Sequence, residues 1–196
     1  MDSRSFLAVL VYVNDVLITG ENETQVSDLK DKLNQAFTIK DLGLIRYFLG
    51  IKVSKNATGT TLHQRKYTLD ILQDLGLSAC KTTPFPLLTN LKLSTDDGNL
   101  LPHPEQYRRL IGRLLYLSIT RPDVSYAVQH LSQFVSTPRQ PHMAATLHLA
   151  QYLKGTINVG LFYPSNNNLD LYAYMDADWA CCILSRKSLT GYCVFL

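Results

Sequence analysis

Apolar residues form continuous β-rich runs at the start of the chain, and the pattern switches to a helical period after residue 22. Residues 6–12 and 16–19 are two β-rich apolar runs separated by Val13, Asn14 and Asp15, the pattern of a tight hairpin with a carboxylate at its tip. Gly20 ends the second run. Val26, Leu29, Leu33 and Phe37 then fall on one face of a helix, with Asn22 and Gln25 at capping-box spacing, and this helix is expected to cover the hairpin. Tyr47, Leu49, Ile51 and Val53 alternate with Phe48, Gly50, Lys52 and Ser54, and residues 60–64 return after a turn near 56–59, which predicts a second hairpin. Tyr67, Ile71, Leu72 and Leu75 predict a short amphipathic helix stopped by Gly76.

Residues 77–104 break this pattern. They carry Pro84, Pro86, Pro102 and Pro104 around the Asp96, Asp97, Gly98 turn, and read as a linker. Three helical patterns follow, expected to pack as a small bundle: Tyr107, Leu110, Ile111, Leu114 with Leu115; Val124, Val128, Leu131 with Val135; and Met143, Leu147, Ala150 with Leu153. Pro122 and Pro141 suit the first turns of the second and third helices, and Gly155 closes the third. Residues 160–163, 169–175 and 191–196 predict strands of a new sheet, whose last strand reads as a cut edge. The order of elements gives an α+β chain in four stretches: 1–76, a linker at 77–104, a helical region at 105–156, and a partial sheet at 157–196.

Composition narrows the class. With 196 residues, 46% hydrophobic and 18% charged, the chain matches an ordinary globular domain and excludes disorder, collagen and coiled coil. No apolar stretch approaches the roughly 18–20 residues that span a bilayer, so no membrane segment is expected. The apolar run near the N-terminus lacks a cleavage-site pattern, so the chain is expected to be intracellular and not secreted. Cys80, Cys181, Cys182 and Cys193 form no CxxC pair and have no histidine at zinc-ligand spacing, which argues against a zinc site or disulfide framework. His63, His103, His130, His142 and His148 are scattered, as surface or satisfied core residues are, and Trp179 is expected as a core anchor beneath the last sheet.

Charge is informative once it is divided along the chain. The whole excess behind the net charge of +3 lies in residues 105–160, where Arg108, Arg109, Arg113, Arg121, Arg139 and Lys154 outnumber Glu105 and Asp123 while the rest of the chain is close to balance. Such a segment attracts a polyanion such as nucleic acid, or else forms a solvated helical face.

The hairpin tip at Tyr12, Val13, Asn14 and Asp15 is where the pattern suggests chemistry. Two adjacent carboxylates on such a turn would hold magnesium for phosphoryl transfer, because hard oxygen ligands at a rigid turn suit that ion. This tip has one carboxylate, and an Asn-Asp pair between strands is by itself a turn signal. Its context is larger. YVNDVLITG at 12–20, FTIKDLG at 37–43, YFLGIKV at 47–53, TRPDVSYAV at 120–128, YLKGT at 152–156, DADWA at 176–180 and SRKSLTGYCVFL at 185–196 occur in order. Together they resemble the Pol polyprotein of copia-type LTR retrotransposons over nearly the whole chain.

The resemblance implies part of a reverse transcriptase palm at 1–76, thumb-like or connecting helices at 105–156, and the first strands of a ribonuclease H domain at 157–196. It places Asn14 and Asp15 on the paired aspartates of the family's YVDD turn, with the first member replaced by an amide. It makes Asp15 a weak metal ligand and magnesium the expected cofactor. It makes YFLGIKV the primer-positioning hairpin, with Gly50 and Lys52 as nucleic-acid contacts beside Arg108, Arg109, Arg113 and Lys154. Asp176 falls on the first metal-binding carboxylate of the ribonuclease H site, a second weak metal ligand. The other acidic ligands of both sites are expected in elements before residue 1 and after residue 196. Cys181 stands where the family commonly has glycine, and His148 and Ala150 lie in a helix usually richer in arginine; both departures point away from tight nucleic-acid binding.

Three functions follow. The first is an RNA-directed DNA polymerase that needs a larger assembly. The second is a non-catalytic module that grips an RNA or DNA template-primer through its phosphates. The third, and the expectation here, is a retroelement-derived reverse transcriptase fragment without catalytic activity, keeping the second as its residual property. The palm face around residues 6–19 is expected to be exposed and to promote self-association.

Overall fold

The computed structural model describes residues 5–88, 91–166, 170–180 and 186–195. It mixes helices and antiparallel strands, as the α+β reading expects, in two compact units, Met1–Leu49 and Gly50–Leu196.

In the first unit, β1 (Leu7–Tyr12) and β2 (Asp15–Gly20) pair antiparallel from Leu7↔Gly20 to Tyr12↔Asp15, leaving Val13 and Asn14 as a two-residue turn. Helix α1 (Glu23–Ala36) packs beside β2. The Asn22 side chain accepts hydrogen bonds from the Thr24 and Gln25 amides at 2.9 and 3.4 Å, so the N-cap is as expected. The reciprocal half of the capping box is absent, because the Gln25 Oε1 accepts from the Ser5 hydroxyl instead. Val26, Leu29 and Leu33 are only half-buried, and the helix covers the ribbon incompletely. A two-residue strand, β3 (Tyr47–Phe48), closes this unit.

The second unit holds the core. β4 (Ile51–Lys55) and β5 (Gly59–His63) form the expected second hairpin, but the strand read from Tyr47 to Ser54 is broken by the positive φ angles of Leu49 and Gly50, so only its later part pairs with β5; the hairpin turn is fixed by the Asn56 side chain, which accepts from the amides of Thr58 and Gly59. Helix α2 (Arg65–Asp74) ends as predicted at Gly76, which has φ 67°. The Leu77 amide bonds the Leu72 carbonyl and the Gly76 amide bonds that of Gln73, the two bonds of a Schellman end.

Helices α3 (Pro104–Leu117), α4 (Ser125–Ser132) and α5 (Gln140–Gly155) form the helical bundle, with a 3-10 turn at Pro122–Val124. Tyr107, Leu110, Ile111, Leu114 and Leu117 line the buried stripe of α3 and meet Ile71, Val128, Leu131, Phe134, Leu149 and Leu153. Leu115, grouped with that stripe in the sequence, is exposed at its flank. The stretch read as a linker is no free tether. Leu93 is buried in the core, Leu87, Leu91 and Leu101 pack against it, and Leu100 bridges to Arg139. Its prolines stop regular structure while its leucines still find apolar partners.

The late strands need a correction. β6 (Leu161–Pro164), expected in a new sheet, pairs antiparallel with β5 through Thr60↔Tyr163 and Leu62↔Leu161. Local pattern cannot reveal a partner so distant in sequence. β7 (Tyr172–Asp178) and β8 (Leu189–Phe195) form a separate two-stranded ribbon. Trp179, expected as a core anchor, is 90% exposed, because among the described residues this ribbon has no layer over it. Cys181 and Cys182 lie outside the described residues.

Candidate functional site

The tip of the first hairpin is sharply defined. With two residues in the loop and φ 50° at Val13, the positive angle falls on the first central residue alone, the signature of a type II′ turn. A β-branched residue disfavours that conformation, so the strand pairing on both sides holds Val13 in strain. Asn14 and Asp15 follow it at the exposed tip. The hairpin supplies one carboxylate and one neutral amide oxygen. Among the described residues no three His, Cys, Asp or Glu side chains are gathered, so the donors present do not fit a pair of divalent metal ions.

Asp176 stands exposed on β7 opposite Gly191, its Oδ1 accepting from the Ala177 amide at 2.9 Å. Strand alternation puts Asp178 on the same face, a neighbour the sequence reading passed over although the spacing of two shows it. The two carboxylates are ~7 Å apart along the strand, too wide to chelate one ion without bending.

Gly50 and Leu49 both have positive φ, 76° and 50°, as a type I′ two-residue turn requires. Lys52 lies two residues on, directly opposite His63.

The basic segment behaves differently from its sequence. Arg121, expected among the polyanion-attracting residues, has a side chain only 2% exposed. Its Nε and Nη2 grip both oxygens of Asp123 at 2.8 and 2.6 Å, and Nη1 and Nη2 bond the carbonyl and hydroxyl of Thr156. Tyr152 donates to the same Asp123 carboxylate at 2.9 Å. Burial raises the Asp123 pKa, and the Arg121 hydrogen bonds and charge more than reverse this, leaving it below the ordinary value.

Other cations are also occupied. Arg108 donates to the carbonyls of Val135 and Ser136 at 2.8 and 3.0 Å. Arg113 pairs with Asp74, Lys154 donates to the Cys80 carbonyl, and Arg139 donates to the carbonyls of Thr95 and Gly98. These bonds tie helix ends and the 77–104 stretch together, a role that composition cannot distinguish from ligand binding. Arg109 stands exposed on α3.

One further feature of α3 escaped the sequence reading. Gly112, exposed on α3 as Arg109 and Leu115 are, has no atom of the described residues within 4 Å of the position a Cβ would take. An interior helix glycine costs about 1 kcal/mol relative to alanine, and among the described residues no packing contact requires it here.

Comparison with known proteins places these features. The family model described as reverse transcriptase (RNA-dependent DNA polymerase) matches residues 1–89. The retrovirus-related Pol polyprotein from transposon RE1 of Arabidopsis thaliana is 42% identical over 98% of this chain, which spans 13% of that protein's length. The Pol polyprotein from transposon TNT 1-94 of Nicotiana tabacum is 34% identical over 96% of the chain and 15% of its own length. An uncharacterized mitochondrial protein of Arabidopsis thaliana is 40% identical over 96% of the chain and 78% of its own length. No solved structure matches. A reverse transcriptase match over the first 89 residues, with Pol relatives aligned to almost every residue after them, shows that the chain belongs to the Pol polyprotein family of copia-type retrotransposons.

Proposed function

We propose that the chain is a template-primer-gripping part of a retrotransposon reverse transcriptase and does not polymerise by itself. In this reading residues 1–76 are part of the palm, 105–156 the thumb or connecting helices, and 157–196 the opening strands of a ribonuclease H-like domain. The observation that carries it is Gly112, exposed in mid-helix with open space above it and Arg109 one turn away. A bare stretch of helix lets a nucleic-acid backbone approach closely, and a cation one turn along meets its phosphates. The Gly50 turn and Lys52 supply a second contact. The weak metal ligands Asp15 and Asp176 belong to sites that, in this family, use divalent metal such as magnesium. The single charge at the Asn14, Asp15 tip supports the non-polymerising part of the reading.

The test is the affinity of the full chain for an RNA–DNA duplex as salt is raised. A phosphate grip weakens steeply with salt, with little dependence on sequence. Gly112→Ala separates binding from folding: it should stabilise the fold by about 0.5–1 kcal/mol while weakening duplex binding. Equal binding by the variant and the parent would overturn the role of this face. A polymerase that works only within a larger assembly is the competing reading, and primer extension with magnesium or manganese distinguishes it.

A further inference from the structure

Residues 91–101 are held as a strap against the first turn of α5. The Gln140 amide donates to the Asn99 carbonyl at 2.9 Å, and the Leu101 amide donates to that of Pro138 at 3.1 Å. The Arg139 guanidinium donates to the carbonyls of Thr95 and Gly98, and a wider ion pair of 3.9 Å joins it to Asp96. His142 completes the set. Its buried ring stacks on Phe134, with Nε2 at 2.9 Å from the Ser94 carbonyl and Nδ1 at 3.0 Å from the Arg139 amide. A carbonyl only accepts and an amide N–H only donates, so these partners select one neutral tautomer, with hydrogen on Nε2 and a lone pair on Nδ1.

Both ring nitrogens are thereby committed, one to the strap and the other to the N-cap of α5. A proton added at Nδ1 faces the Arg139 N–H, donor against donor, and puts a positive charge in the core near a guanidinium. We propose that His142 is a proton-operated latch, whose charging releases residues 91–101 from the helical bundle while the helices stay folded. The strap is the part able to leave. Leu93 is its buried side chain, with Leu91 and Leu101 at the margin of the core, whereas α3 alone buries Tyr107, Leu110, Ile111, Leu114 and Leu117. Segments with few buried contacts open at lower free energy than the whole fold. Released, the strap becomes slack directly before α3, up to about 36 Å of extended chain.

The groups around the ring act in both directions. Burial has the largest effect and lowers the His142 pKa; the Ser94 hydrogen bond opposes it, the Arg139 charge adds to it, and Asp97 on the strap opposes it again. Asp96 is turned toward Arg139, His130 on α4 disfavours a second positive charge, and Tyr107 on α3 holds its proton with a pKa pushed up by burial to about 12. The balance for His142 lies below the ordinary histidine value. With the strap released, the ring meets water and returns to that value, about 6.5. The closed latch is therefore fully stable above this pH, and opening grows by up to about tenfold for each pH unit below it.

Amide hydrogen exchange of the full chain tests this, read as protection factors so that the intrinsic pH dependence of exchange drops out. Gln140 and Leu101 report the strap, because each amide is bonded across the contact; Leu114 in α3 and Leu149 in α5 report the bundle. Between pH 7.5 and 5.5, protection at Gln140 and Leu101 should fall about tenfold while staying below that of Leu114 and Leu149. Equal protection of strap and bundle at both pH values would mean that they open only together, and overturns the proposal. Lower strap protection that does not change with pH overturns it equally. His142→Gln keeps an acceptor for the N-cap amide and a donor for Ser94 in a group that does not titrate. This variant should abolish the fall in strap protection between the two pH values, and a fall that persists in it assigns the effect to another group and removes the latch. The comparison of strap with bundle in the parent chain decides the matter even where the variant does not fold.

Discussion

Val13 occupies a backbone conformation that costs about 1–3 kcal/mol for a residue of its kind. Val13→Gly should relieve about 1 kcal/mol of that strain, read as slower amide exchange along β1 and β2. Asn14→Asp acts on charge instead. With two carboxylates at the tip, Mn2+ binding, followed by line broadening of the hairpin amides, should tighten about tenfold, or about 1.4 kcal/mol, over the parent. The location of this turn was legible in the sequence because Val13, Asn14 and Asp15 interrupt two adjoining β-rich runs, a break with few other solutions. The strain was not, since nothing local to Val13 requires a positive φ until the strand register forces it. Arg121 shows the opposite failure. Its type and neighbours suggest a surface cation, and only Thr156, 35 residues away, reveals an internal clasp.

Among the elements, the helical bundle is held by polar clasps at its ends as well as by its apolar stripe. Arg121 joins the turn before α4 to the C-terminal end of α5, and its removal leaves Asp123 and the Thr156 carbonyl without their partner. Arg121→Ala should cost about 3 kcal/mol in urea unfolding. His142 is the second clasp: fully buried, it stacks on Phe134 at 4.0 Å, accepts from the Arg139 amide through Nδ1, and bonds the Ser94 carbonyl through Nε2. Burial is the main cause that holds both His142 and His130 below the ordinary histidine value. Unfolding therefore takes up protons below that value, so stability is full at pH 7 and falls as pH drops from about 6.5. The urea midpoint should fall between pH 7 and 5, and His142→Asn should flatten the dependence while lowering stability overall. The helices themselves were legible from their 3.6-residue period, and the end of α2 from Gly76. The packing of the proline-rich stretch was not, since its leucines carry no period.

At the scale of the whole molecule, two ribbons carry apolar side chains in the open. Val9 and Val11 on β1 are 46% and 64% exposed, and Tyr192 on β8 is 82% exposed. Surfaces of this kind associate, so sedimentation velocity should show concentration-dependent species, and Val9→Lys combined with Val11→Lys should shift them toward monomer. The α+β class, the order of elements and the pairing within the first two hairpins could be read along the chain, but the sheet that β6 joins could not. β6 makes the difference, for it reads as the start of something new and is in fact the next strand of an older sheet. That pairing has a consequence in time. At translation rates of about 5–20 residues per second, the exposed edge of β5 waits roughly 5–20 s for a partner synthesised about 100 residues later. During that interval the nascent chain presents an unpaired strand to its neighbours on the polysome, and a ribosome that stalls between the two leaves it so.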